Sequence, residues 1–186
     1  MTQPKIILLT GPADAGKSTL ATYLTQTHSF GRFKFADSIK SIMTVLGLST
    51  REIEGDLKEV PCAKLGGKTP RYAQQTLGTE WGRELMYKNI WADKAVRDVQ
   101  RLWEWYVEYP VVFDDCRFQN EIDCMREAFE DVTVIKLVPA YEGYRPIKES
   151  GHKSEKQELD WDILIKNGWE KQTLFETLDA HLKGEL

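Results

Sequence analysis

The fold is decided by residues 5–18, KIILLTGPADAGKS. This stretch opens with a continuous aliphatic run, residues 6–9, of the kind found in a parallel strand that is buried on both faces. The run ends near Thr10 and leads through a turn bounded by Gly11 and Gly16 into a helical pattern that begins at Lys17. A buried strand, a glycine-bounded turn and a helix form the first half of a βαβ unit, so the stretch predicts an α/β protein.

The rest of the chain continues this alternation, which predicts a doubly wound parallel sheet in a single domain, residues 1–186. Asp37 is expected to cap the second helix and Gly47 to end it. The polar, glycine-containing stretch 49–69 is predicted to be a mobile surface excursion. The expected strands are 5–10, 32–35, 111–113, 132–138 and 163–165, and the expected helices are 17–26, 37–46, 70–88, 92–106, 120–129 and 170–182.

Composition excludes several classes of protein. The chain has 186 residues, 41% of them hydrophobic, which is enough for a sizeable core without disulfides or a structural metal. Its 25 Lys and Arg against 29 Asp and Glu give a net charge of −4, so nucleic acid is disfavoured as a partner. No aliphatic run approaches the length of a membrane span, and no charged-then-apolar leader opens the chain. With three cysteines and no CxxC pair, the expected location is the reducing cytoplasm.

Residues 11–18 match the motif GxxxxGK[ST], between the predicted strand and helix that its mechanism requires. The glycines let backbone N–H groups converge on phosphate oxygens, Lys17 reaches the β and γ phosphates, and Ser18 can bind Mg²⁺. The motif therefore predicts a P-loop NTPase-type sheet that binds ATP and Mg²⁺. The candidate nucleotide-binding residues are Gly11, Ala13, Asp14, Ala15, Gly16, Lys17, Ser18 and Thr19.

A second metal-side carboxylate is expected at the end of a neighbouring strand. Asp114 and Asp115 follow the predicted strand 111–113 and can supply it. Consecutive strand residues point to opposite faces, so only one of the two can face the phosphate loop. The spacing alone does not choose between them.

The sequence lacks the guanine-reading NKxD motif of GTPases and the sensor motifs of larger ATP-driven machines. A small-molecule kinase remains as the best interpretation. Such an enzyme needs cationic side chains around the transferred phosphoryl group and a second site for the acceptor. Arg71, Arg83, Arg117 and Arg145 are distributed along the chain in a way that can supply those cations.

Four further segments carry a family resemblance. They are FADSIK at 35–40, LGTEWGR at 77–83, DCRFQNE at 115–121 and HKSE at 152–155. Together with Arg71 and Gln75, they resemble the phage deoxynucleoside monophosphate kinases. The segment ILIKN at 163–167 is similar to the closing strand and Asn of many nucleoside monophosphate kinases and of dephospho-coenzyme A kinase.

The resemblance implies a role for each matched residue. Lys17 and Ser18 would hold ATP and Mg²⁺, and Asp115 rather than Asp114 would be the metal-side carboxylate. Arg117 would neutralise the transferring group. A short lid at about 140–158, carrying Arg145 as a further catalytic cation, would close over ATP. A mobile acceptor-binding insertion at about 37–90 would hold the acceptor nucleotide through Asp37, Lys40, Arg71, Gln75, Thr79 and Arg83.

The expected activity is transfer of the γ-phosphoryl group of ATP to a deoxynucleoside 5′-monophosphate, in the setting of phage nucleotide metabolism. The alternatives are dephospho-coenzyme A or 5-hydroxymethyluracil in DNA as the acceptor, or an ATPase module that senses nucleotide. Small-molecule nucleotides are the expected partners, and no membrane partner is expected. The resemblance also suggests a homodimer, for which the aromatic helix at 92–109 is a candidate interface, although its apolar face could equally belong to the core.

Overall fold

The computed structural model describes residues 5–140, 158–168 and 170–185. Within them lies a five-stranded parallel sheet with the order β2-β3-β1-β4-β5. This architecture confirms the α/β prediction. The strands are β1 Ile6–Thr10, β2 Gly31–Phe33, β3 Val111–Phe113, β4 Val132–Pro139 and β5 Ile163–Asn167.

Helical segments connect the strands and extend beyond them. The α-helices are α1 Lys17–Thr27, α2 Asp37–Val45, α3 Thr50–Ile53, α4 Pro70–Gln75, α5 Ile90–Trp105, α6 Gln119–Ala128 and α7 Lys171–Lys183. A short 3₁₀-helix spans Ala63–Leu65, and a π-helix, Thr76–Met86, continues directly from α4. Over the described residues, no helix is both long enough and apolar enough to span a membrane.

The chain divides into two compact units. The first comprises the described residues of Met1–Lys34 and Ala95–Leu186 and contains the whole sheet. The second, Phe35–Lys94, contains α2, α3, α4, the π-helix and the start of α5. The predicted acceptor-binding insertion at 37–90 falls inside this second unit.

The core of the first unit is built around β1, whose five residues are all buried. Strand β1 is central because it pairs with β3 on one side and with β4 on the other, in registers that join Ile6 to Val111 and to Val132. Leu20 and Leu24 of α1 pack onto this sheet. Parallel strands end at one edge of a sheet, so the segments that follow β1 and β3 emerge side by side.

The second unit has its own apolar cluster, formed by Met43, Leu48 and Ile53. The stretch 49–69, predicted to be a mobile surface excursion, is mostly exposed, but it contains short regular elements and contributes Ile53 to this cluster. Ser49 and Glu52 form a capping box that begins α3, and Cys62 and Lys68 form an isolated bridge. The helical periodicity is weak here because the helical segments are only three or four residues long. Such short helices are not stable by themselves, and burial of Leu48 and Ile53 provides the missing stabilisation.

Two other predictions need correction. Asp37 does not cap α2: the cap position is Ala36, and Asp37 is the first helical residue, where its charge faces the positive helix end. The single helix predicted at 70–88 is α4 followed by the π-helix, a change of hydrogen-bond pattern that hydrophobic periodicity does not reveal.

Candidate active site

The phosphate loop joins the end of β1 to the start of α1. Of the predicted nucleotide-binding residues, five lie in the loop and three in the first turn of α1. The loop residues are Gly11, Ala13, Asp14, Ala15 and Gly16, and the helical residues are Lys17, Ser18 and Thr19. The first turn of α1 has no acidic residue and no side-chain cap. Its backbone N–H groups and the positive end of the helix dipole are therefore available to bind an anion.

Glycine is required at both ends of the loop. Gly11 and Gly16 have φ values of +126° and +102°, a region that other residues rarely adopt. A Cβ at Gly11 would lie 2.1 Å from the carbonyl oxygen of Leu137, and one at Gly16 would lie 2.6 Å from Nδ2 of Asn167. Neighbouring strands β4 and β5 therefore approach the loop too closely for any side chain at these positions.

Asn167, at the end of β5, is hydrogen-bonded to the backbone of the phosphate loop. Its buried side-chain Nδ2 donates a hydrogen bond of 3.0 Å to the carbonyl oxygen of Ala15. The resemblance included Asn167 at the end of the closing strand but assigned no role to it. A buried donor aimed at the loop gives it one: the amide fixes the loop backbone.

Lys17 folds back onto the loop. Its Nζ donates to the carbonyl oxygens of Gly11 at 2.8 Å and Pro12 at 2.6 Å. Burial, with repulsion from Arg117 next in size, lowers the pKa of Lys17 from 10.5 to about 8, although nearby aspartates oppose the shift. The ammonium group therefore sits where its charge is poorly solvated, and a phosphate would relieve that cost.

Asp114 is the carboxylate that faces the phosphate loop. Ser18 Oγ donates to Oδ2 of Asp114 at 3.2 Å, and the guanidinium group of Arg32, on β2, donates to the same oxygen. The resemblance implied Asp115 for this position, whereas the hydrogen bond from Ser18 is accepted by Asp114. Strand β3 ends at Phe113, and the side chain of the next residue, Asp114, is directed to the phosphate loop.

The second oxygen of Asp114, Oδ1, is buried and has no hydrogen-bond partner among the described residues. A buried carboxylate oxygen without a partner is costly unless a cation or an ordered water occupies its vicinity. Hydroxyl and carboxylate oxygens are the ligands that Mg²⁺ prefers. The donor set of Ser18 and Asp114 thus fits a hydrated magnesium ion.

Arg117 is exposed and lies in the loop between β3 and α6, which Glu121 of α6 stabilises. The buried side chain of Glu121 accepts hydrogen bonds from the backbone N–H groups of Arg117 at 2.8 Å and Phe118 at 3.1 Å. The segment 115–121 therefore has a structural role in part, since Glu121 shapes the loop that carries Arg117.

A cavity of about 380 Å³ lies beside the loop. Its size is in the range of small-molecule sites. Sequence reasoning did not identify Lys171 and Leu174, which bring the start of α7 into its wall. The lining residues are Asp14, Gly16, Lys17, Ser18, Thr19, Asn167, Lys171 and Leu174.

Three of the predicted acceptor-binding residues engage in ion pairs within the second unit. Lys40 Nζ pairs with Glu54 and lies 3.5 Å from Oδ1 of Asp37. Arg71 Nε donates to Oε1 of Glu59 at 2.9 Å. The cationic groups are thus held by carboxylates that an acceptor phosphate could replace.

The other three lie along one continuous helical segment. Gln75 is the last residue of α4, and Thr79 and Arg83 belong to the π-helix. All three are partly buried. The remaining predictions, Arg145 and most of the lid at 140–158, lie outside the described residues.

Comparison with known proteins places the chain in a family. No family model matches the sequence. A protein of Acanthamoeba polyphaga mimivirus, described as a putative deoxynucleotide monophosphate kinase, is 34% identical over 137 residues, which cover 66% of this chain and 68% of the relative. The chain belongs to this deoxynucleotide monophosphate kinase family.

A solved structure shares the fold of this chain. An unliganded sugar kinase from Janibacter sp. superposes with a TM-score of 0.55, covering 97% of this chain and 95% of the other at 12% identity. An APS kinase of Mycobacterium tuberculosis gives a TM-score of 0.49 at 10% identity, covering 98% of this chain and 99% of its own. At such identities the likeness concerns the fold, and membership of the kinase family rests on the mimivirus relative.

Proposed function

We propose that this kinase transfers the γ-phosphoryl group of ATP to a deoxynucleoside 5′-monophosphate, which gives a deoxynucleoside diphosphate and ADP. The observation that carries the proposal is the grouping of Lys17, Ser18 and Asp114 at a glycine-bounded loop. This grouping supports phosphoryl transfer from a nucleoside triphosphate. The acceptor is taken from the similarity to the mimivirus relative and from the matched segments of sequence.

At the ATP side, the loop N–H groups and the first turn of α1 bind the phosphates, and Lys17 exchanges its two carbonyl partners for phosphate oxygens. Ser18 and Asp114 hold Mg²⁺, which supplies positive charge against the developing charge on the phosphoryl oxygens. The hydrogen bond from Ser18 and the buried Oδ1 support Asp114 in this role. The resemblance alone supports Asp115.

Arg117 stabilises charge on the transferring group, a role taken from the resemblance and supported by its closeness to Lys17, whose pKa it lowers. Arg145 of the proposed lid adds a further cation, and closure of the lid excludes water so that ATP is not hydrolysed. Arg71 and Arg83 grip the acceptor phosphate as bidentate partners, and Asp37, Lys40, Gln75 and Thr79 complete the acceptor site. No general base is needed because the attacking phosphate oxygen is already an anion at neutral pH.

A coupled assay of ADP release tests the proposal. Mg-ATP is combined with ribo- and deoxynucleoside monophosphates, with dephospho-coenzyme A, with DNA that contains 5-hydroxymethyluracil, and with no acceptor. We expect release with deoxynucleotides only. Equal release with and without every acceptor would leave an ATPase or sensor module, and release with another acceptor would identify that alternative.

The same assay separates acceptor binding from a structural role. Arg71→Ala should raise the KM of the acceptor while leaving the KM of ATP unchanged. The matched control is Arg51→Ala, which removes an exposed arginine of the same unit that pairs with Asp56. The homodimer, the phage setting and the cytoplasmic location remain predictions from the sequence.

A further inference from the structure

The π-helix Thr76–Met86 is unusual in its length. It spans 11 residues, whereas most π-helical segments are single turns inside an α-helix, frequently at functional sites. Its wide hydrogen-bond pattern extends to its end, where the N–H of Tyr87 donates to the carbonyl oxygen of Gly82 at 2.9 Å. A conformation that isolated helices disfavour must be stabilised by contacts with the rest of the unit.

Trp91 supplies such contacts. Its side chain is buried, and its indole Nε1 donates a hydrogen bond of 2.8 Å to the carbonyl oxygen of Gly78. The same ring packs closely against the next turn, because a Cβ at Gly82 would be only 2.7 Å from its Nε1 and Cζ2 atoms. One indole therefore holds the π-helix backbone at two points, four residues apart.

The two glycines of this segment are explained by these contacts. A Cβ at Gly78 would lie 2.9 Å from Cδ1 of Ile39, and one at Gly82 would overlap the ring of Trp91. Both glycines are buried, and neither has a positive φ. They are required for close approach of neighbouring side chains, and not for a special backbone conformation.

Thr79 and Arg83 directly follow the two glycines that Trp91 contacts. We propose that Trp91 is a positioning residue of the acceptor site, which holds the π-helix so that Thr79 and Arg83 reach the acceptor nucleotide together. The inference rests on the proposed function, because it assigns Thr79 and Arg83 to the acceptor. It adds a residue, Trp91, that neither the sequence pattern nor the resemblance identified.

The physical reason is the geometry of a bidentate arginine. A guanidinium group binds a phosphate through two parallel hydrogen bonds, which weaken when the backbone that carries it shifts by a fraction of an ångström. Without the indole N–H, the buried carbonyl of Gly78 loses one donor and the turn can relax toward α-helical hydrogen bonding. Arg83 would then change its direction relative to Thr79.

Trp91→Phe tests the proposal, since phenylalanine keeps an aromatic ring but removes the N–H donor. We expect the KM of the acceptor to rise about tenfold, the value that corresponds to loss of one good hydrogen bond, with the KM of ATP unchanged. The matched control is Trp103→Phe, which removes a similar bond of 2.9 Å from an indole to the carbonyl oxygen of Tyr109. This control should leave both KM values unchanged.

Hydrogen exchange gives a second readout that does not depend on activity. In Trp91→Phe, the amides of residues 76–87 should exchange faster than in the wild type, and in Trp103→Phe they should not. If Trp91→Phe does not fold, Gly82→Ala replaces it, because a methyl group there pushes against the retained indole and should raise the same KM.

The outcomes separate the two proposals. A wild-type enzyme that phosphorylates no monophosphate overturns the proposed function and this inference with it. An active wild type whose acceptor KM is unchanged in Trp91→Phe overturns the inference alone. Equal rises in the KM of both substrates would show that Trp91 acts through general stability, which also contradicts the inference.

Discussion

Ser18 Oγ and Asp114 Oδ2 lie 3.2 Å apart, although 96 residues separate them in the sequence. The contact exists because β1 and β3 are parallel neighbours whose carboxyl ends meet at one edge of the sheet. It brings the hydroxyl of the phosphate loop and a buried carboxylate to one point. The proposed magnesium site thus depends on strand pairing that no local segment encodes.

Asp114 should matter more than Asp115 for the metal. We expect Asp114→Asn to lower kcat about 100-fold and to raise the Mg²⁺ concentration needed for half-maximal rate, because a neutral amide attracts a cation and its waters far less. Asp115→Asn, which changes the neighbouring carboxylate in the same way, should have a smaller effect. Titration of the rate with Mg²⁺ measures both, and a stronger effect of Asp115→Asn would restore the assignment implied by the resemblance.

Lys17 should make the nucleotide-free protein more stable as the pH rises from about 8 to about 10.5. Its folded pKa of about 8 lies below the ordinary lysine value of 10.5, so in this window the unfolded chain binds more protons than the folded one. The free energy of unfolding therefore rises with pH, by up to about 3 kcal/mol for this group. Urea titrations of the wild type and of Lys17→Met measure the difference, and parallel pH profiles of the two proteins would contradict the prediction.

Asn167 should control ATP affinity through the loop backbone. Asn167→Ala removes the donor to the carbonyl oxygen of Ala15, and we expect about 1–2 kcal/mol of lost stability and a several-fold higher KM for ATP. The KM of the acceptor should not change. Lys166→Ala, at the exposed neighbouring position of β5, is the control. A variant whose ATP kinetics match those of the wild type would show that the loop keeps its shape without this hydrogen bond.

Glu59 should compete with the acceptor phosphate for Arg71. Glu59→Gln weakens the ion pair whose Nε–Oε1 distance is 2.9 Å, and we expect the acceptor KM to fall two- to fivefold because Arg71 no longer has to leave a carboxylate. Asp56→Asn is the control, since it weakens a comparable exposed pair with Arg51. Steady-state kinetics at low salt test this, and an unchanged KM in Glu59→Gln would argue against phosphate binding by Arg71.

The phosphate loop and the order of elements were predictable because they depend on local signals. Residues 6–9 are apolar on both faces, and Gly11, Gly16 and Lys17 stand at the spacing that a phosphate loop requires. Alternation along β3 also narrowed the metal-side carboxylate to one of two residues. The contact of Ser18 with Asp114, on which the proposed assignment rests, depends on how β3 ends beside β1, which is a tertiary relationship.

The parts that escaped prediction depend on contacts between distant residues. A hydrophobic pattern with a period of 3.6 residues predicts an α-helix and does not distinguish a π-helix from it. The π-helix forms where Trp91 contacts Gly78 and Gly82. The start of the stretch 49–69 is anchored because Ile53 packs with Met43 and Leu48 in a small apolar cluster, although the neighbouring sequence is polar. The role of Asn167 could not be predicted, since the carbonyl group that accepts its hydrogen bond lies 152 residues earlier in the sequence.

The central position of β1 has a consequence for synthesis on the ribosome. Its five buried residues are synthesised about a hundred residues before their first strand partner, which begins at Val111. At roughly 5–20 residues per second, the ribosome needs about 5–20 s to reach that partner, during which an aliphatic strand has both edges unpaired. The nascent chain therefore carries an exposed, aggregation-prone segment until chaperones or newly formed helices cover it. Growth temperature and translation speed should therefore affect the yield of folded kinase.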